Sequence, residues 1–137
     1  MEIRWLEKNV DLHELKEAIK QYFKRKGFKI STLSSANKIY AKKKANDVSL
    51  AVEIEVKGHP QDFSVKISCL NAPESIHLFS NILSMIGLGG LMLKKLKILD
   101  IYREYERDFE AFIEETVNSL SKSKPGRHKN ALSTHNP

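Results

Sequence analysis

Glu53 and Glu55 are the side chains whose spacing comes nearest to acid–base chemistry. They stand two residues apart in an alternating apolar run, so one strand face carries both carboxylates about 7 Å apart by strand rise. Paired carboxylates can use such a separation in glycoside hydrolysis. Nothing in the flanking sequence builds a cleft around them. Lys42 and Lys44 are placed to share that face, so cross-strand ion pairs are the expected role.

The other chemically capable residues are scattered. The histidines are His13, His59, His77, His128 and His135, and Cys69 is the one cysteine. A zinc site draws three or four ligands from clustered Cys, His and carboxylate groups, and no metal site is expected here. His59 is a turn residue, and His77 offers a polar contact on an otherwise apolar segment. Gly87, Gly89 and Gly90 are superficially like a phosphate loop, but such loops follow a strand and carry a Lys-Ser/Thr pair or G-x-G-x-x-G spacing. These glycines are embedded among leucines and are expected to permit a bend. No cofactor is implied, and no nucleophile or base has partners at readable spacing, so a non-enzymatic role is expected.

Charge is more informative. The formal net charge is +6, of which Lys122, Lys124, Arg127 and Lys129 contribute four. Residues 20–44 hold nine basic residues and no acid, whereas residues 100–115 hold seven acids against Arg103 and Arg107. Such polarity can orient a domain against an acidic partner. Lys24, Arg25, Lys26, Lys29, Lys42 and Lys44 form the candidate nucleic-acid set, with Tyr40 as the aromatic predicted to face outward among them.

Residues 75–93 carry no formal charge. A membrane span needs about 20 predominantly apolar residues, and three glycines with serines, a histidine and an asparagine dilute this stretch below that standard. Its surface of His77, Phe79, Asn81, Leu83, Ile86, Leu91 and Met92 suits an apolar small molecule, a peripheral membrane contact or a second copy of the chain in a homodimer. The start of the chain lacks the basic and apolar runs of a secretion signal. With the lone cysteine on an inward strand position, a cytoplasmic protein is expected.

The elements that must position these residues follow from periodicity. Val48, Leu50, Val52, Ile54 and Val56 alternate with polar residues, and after a break at residues 58–62 the alternation resumes at Phe63, Val65, Ile67 and Cys69. Two half-buried antiparallel strands result. Strands at 28–34 and 38–44 precede them, with Phe28, Ile30, Ile39 and Ala41 inward; a short strand at 2–8 places Ile3 and Trp5 inward. Leu12, Leu15, Ile19, Tyr22 and Phe23 make the apolar stripe of a helix capped by Asp11 and ended by Gly27. Ile98, Tyr102, Tyr105, Phe109, Phe112 and Thr116 step by four and three along a long helix from about Leu91 to Leu120.

The expected fold is α+β, in the order βαββββαα. It is an antiparallel four- to five-stranded meander with an N-terminal helix and a long C-terminal helical region on one face. Residues 1–120 make one domain, and residues 121–137 a disordered basic tail. In element order the chain resembles helix-grip domains, a likeness that implies a sheet curled around a terminal helix, where apolar ligands often bind. The expected function is a binding or assembly module using residues 75–93, with nucleic-acid binding through residues 20–44 and the basic tail as the alternative.

Overall fold

The computed structural model describes residues 1–32, 37–45, 48–71 and 89–133, with side chains except at 32, 45, 89–95 and 122–133. The elements are β1 (Glu2–Leu6), α1 (Leu12–Arg25), β2 (Lys29–Thr32), β3 (Lys38–Ala45), β4 (Val48–His59), β5 (Asp62–Cys69) and α2 (Gly89–Ser133).

Period-two alternation becomes the central hairpin. Val48, Leu50, Val52, Ile54 and Val56 of β4 are buried, and Val56 and Ile54 stand opposite Val65 and Ile67 of β5. The hairpin is tighter than the expected five-residue break. β4 runs to His59 and β5 begins at Asp62, which leaves Pro60 and Gln61 between them, and Gly58 is in the ladder opposite Phe63.

β2 to β5 form the meander, every neighbouring pair antiparallel. β1 joins the far edge by pairing antiparallel with β5, so the strand order is β1-β5-β4-β3-β2. Four antiparallel steps make β1 and β2 run the same way on opposite edges. The chain between them must cross the whole sheet, and α1 makes that crossing.

Both ends of α1 follow from local chemistry. The Asp11 carboxylate accepts hydrogen bonds from the amides of His13 at 2.9 Å and Glu14 at 3.4 Å, which supplies two of the first-turn donors with a partner. At the other end Gly27 has φ +91°, and its amide donates to the Lys24 carbonyl while that of Phe28 donates to Phe23. This is the Schellman pairing, and the apolar contact that accompanies it is Phe23 against Phe28, ring centroids 5.1 Å apart.

α1 and α2 bury their stripes against one side of the sheet. Leu15, Ile19, Tyr22 and Phe23 meet Tyr102, Phe109, Ile113 and Val117 over the inward residues of the strands, in one continuous core. Tyr22 stacks on Phe112 at 4.3 Å, and Phe23 lies 5.5 Å from Phe109. Polar groups at the seam between α1 and α2 are paired. The Tyr22 hydroxyl donates to the Asp108 carboxylate, and Lys26 Nζ lies 3.0 Å from it. Burial, then this carboxylate, raises the Tyr22 phenol well above its ordinary pKa; the hydroxyl and Lys26 in turn hold Asp108 below the usual carboxylate range. Tyr102, likewise raised by burial and by Glu106, donates at 2.7 Å to that carboxylate.

The backbone of α2 continues beyond Leu120 to Ser133, into the stretch expected to be a disordered tail. Residues 75–88 of the expected apolar segment lie outside the described residues.

Candidate functional site

The last residues of α1 set the start of the site. Because Phe28 closes the cap and turns inward, the next residue, Lys29, falls on the opposite face when β2 begins. Strand register then aligns Lys29 with Lys42 of β3, Lys42 with Ala51 of β4, and the Ala51 carbonyl with the amide of Leu70 at 2.8 Å. Asn71 secures that last contact, since its side chain donates to the Ser49 carbonyl at 2.5 Å and accepts from the Ala51 amide at 3.2 Å. The row Lys29, Lys42, Ala51, Leu70 therefore crosses the outward face of β2, β3 and β4 and ends at the residue just past β5. The adjacent row carries Ser31 opposite Tyr40, and Tyr40 opposite Glu53.

Ala51 is the small residue among larger ones, and a depression of about 350 Å³ opens over it. Its lining includes Lys29, Ser31, Tyr40, Lys42, Ala51 and Leu70. Among the described residues no helix lies over this face, because the packed sides of both α1 and α2 belong to the core on the other. Leu70 is 51% exposed. Tyr40 is half-buried, with no ring partner and no hydrogen bond to its hydroxyl among the described residues.

The two acids of β4 do stand on this outward face, but their ionic partners are not Lys42 and Lys44. Glu53 pairs with Lys38 at 3.7 Å and Glu55 with Lys57 at 3.4 Å. Register explains the difference: Lys42 faces Ala51 and Lys44 faces Ser49, whereas Lys38 lies across from Glu55 and beside Glu53. Lys29, Lys42 and Lys44 have no ion-pair partner among the described residues. Like charges directly opposite on a sheet repel, and among the described residues Lys29 and Lys42 form a site of uncompensated positive charge.

The rest of the candidate basic set is divided. Lys24 and Arg25 are exposed on the last turn of α1, in the layer on the other side of the sheet, and Lys26 is engaged by Asp108 with its ammonium 5.5 Å from the Tyr22 ring centroid. Lys43 turns inward between its outward neighbours. Its Nζ donates to the Lys26 carbonyl at 2.6 Å and to the Tyr105 hydroxyl at 3.1 Å, and lies near the faces of Phe28 and Tyr105. The carbonyl end of α1 is where a cation is favoured, and the lysine stem covers the edge of the core on its way there.

The chain matches no protein-family model, no curated protein and no solved structure. The likeness to helix-grip domains stays one of element order alone.

His77, Phe79, Asn81, Leu83 and Ile86 lie outside the described residues, as do the side chains of Leu91 and Met92. Among the described residues no group of three His, Cys, Asp or Glu could hold a metal ion, and no helix is long and apolar enough to cross a membrane. Ser31, Ala51 and Leu70 were not apparent as site residues from the sequence, although alternation from Phe63 to Cys69 puts Leu70 outward. What it could not show is that Leu70 ends beside Ala51. A second, shallower depression of about 210 Å³ beside Gly58 contains the exposed two-bond pair of Arg4 with Asp62, at 2.9 and 2.8 Å.

Proposed function

We propose that this protein is a non-enzymatic binding module that takes a polyanionic ligand on the outward face of its sheet. The observation that carries it is the facing pair Lys29 and Lys42, two ammonium groups on adjacent strands with no acid paired to them among the described residues, on a face left open by both described helices. An anion laid across them relieves their repulsion and gains charge-assisted hydrogen bonds. Lys44, two residues along β3, extends the positive strip.

The test is salt dependence. With single-stranded oligonucleotide as the probe, each neutralised phosphate contributes about −0.7 to the slope of log K against log salt. The double variant Lys29→Gln/Lys42→Gln is expected to flatten that slope by about 1.4 and to melt no lower than the wild type, because it removes a repulsion. An unchanged slope in this variant would overturn the outward face as the binding surface.

A second function rests on residues 75–93, nineteen residues without a formal charge. As an apolar assembly surface, this segment joins two copies of the chain, and Leu83→Asp is expected to halve the solution mass measured by light scattering. A folded Leu83→Asp protein with the mass of the wild type would remove self-association through this segment.

A further inference from the structure

We infer that the polyanion is single-stranded nucleic acid, with one unpaired base seated against Tyr40 and Leu70 over Ala51 and the flanking phosphates on Lys29 and Lys42. The inference rests on the outward-face function proposed above and adds what the depression itself requires.

Charge alone does not explain the site. Heparin or polyphosphate would satisfy the lysines, yet neither brings a flat apolar group to fill a depression of about 350 Å³ with largely apolar walls. That volume is at the lower end of the range of small-ligand clefts, about 300 to 1,000 Å³, and suits one planar unit of a chain. The Tyr40 ring has no aromatic partner among the described residues, Leu70 is half exposed, and both border the same small alanine. Aromatic faces on which bases stack, set beside cations that follow the backbone, are how single strands are held without strict sequence preference.

The geometry also selects against a duplex. Bases in a double helix are stacked inside it, and their edges are read by an element that projects into a groove. Here the apolar surface is recessed below its rim of lysines, so only a base free to leave its neighbours can reach it. Along β3 the outward residues Tyr40, Lys42 and Lys44 repeat at about 7 Å, comparable to the step of an extended nucleotide backbone. Ser31, across from Tyr40, places a hydroxyl where it can meet a base edge.

The experiment is fluorescence anisotropy on the full chain with a twelve-nucleotide oligo(dT), the matching oligo(U), a twelve-base-pair duplex and heparin. The single strands are expected to bind most tightly. Tyr40→Ala should weaken them at least about fivefold without changing the salt slope or heparin affinity, while Tyr40→Phe, which keeps the ring, should bind as the wild type does. Leu70→Asn tests the opposite wall and should also weaken the single strands selectively; melting curves on all three variants separate folding from binding. Equal affinity for single strands, duplex and heparin, with Tyr40→Ala unchanged, would overturn the base seat and leave the polyanion surface standing. No binding to any of the four probes would overturn both.

Discussion

Phe23→Ala is expected to lower the stability of this fold by about 4 kcal/mol. Phe23 is fully buried, and its ring meets Tyr22 at 5.1 Å, Phe28 at 5.1 Å and Phe109 at 5.5 Å. Truncation therefore leaves a cavity where α1, α2 and the turn leading into β2 converge, and the surrounding rings come from three separate parts of the chain that cannot all close on it. The same change removes the apolar contact across the end of α1, between the third residue from its end and the second beyond its cap. Domains of this kind are stable by about 5 to 15 kcal/mol in total, so urea unfolding should show a much lower midpoint. A loss below about 1 kcal/mol would mean that α1 is not docked through this ring. There is a functional consequence too, because Lys29 leaves the helix cap two residues after Gly27; loosening this corner should weaken oligonucleotide binding as well.

Gly58→Ala is expected to cost about 3 kcal/mol and to lower the melting temperature by roughly 10 °C. Gly58 has φ +111°, a backbone conformation that side chains disfavour. A Cβ built there would lie 2.2 Å from the Asp62 carbonyl oxygen and 2.8 Å from the Phe63 Cα. Those atoms are backbone of the paired strand, so relief requires the β4–β5 ladder to move. Gly27→Ala is the control, since Gly27 also has positive φ but its added Cβ would meet the flexible end of Lys43 at 3.5 Å. It should lose about 1 kcal/mol, the cost of the backbone conformation alone. Equal losses at the two glycines would show that the close approach at Gly58 is not a constraint on the hairpin.

Much of this fold is written in short-range pattern. The alternation through β4 and β5, the stripe from Leu12 to Phe23, the Asp11 cap and the Gly27 stop each involve residues two to five positions apart, and all recur in the structure. The stripe of α2 was less plain: of the expected residues Tyr102 and Phe109 are buried, Ile98, Tyr105, Phe112 and Thr116 are half-buried, and the buried face runs on through Ile113 and Val117. The ion pairs of Glu53 and Glu55 were half apparent. Their outward position follows from parity, but the choice of Lys38 and Lys57 over Lys42 and Lys44 follows from register, which a lysine-rich strand does not announce.

The candidate site shows the same division. Parity alone turns Lys29, Tyr40, Lys42, Ala51 and Leu70 to one face, because side chains alternate strictly along a strand. It also turns Lys43 inward, although its partners, the end of α1 and Tyr105, come from elsewhere in the chain. The sequence by itself thus determined the order of the described elements, the caps of α1 and which face of the sheet its alternating residues take, since these depend on neighbours along the chain. Only the tertiary structure decided that β1 sits beside β5, that Ala51 lies between Lys42 and Leu70, and that Lys29 faces Lys42 with no acid paired to either among the described residues. Those adjacencies are set by strand order and register, which depend on turn lengths and on how two helices share one apolar face, and no local spacing encodes them.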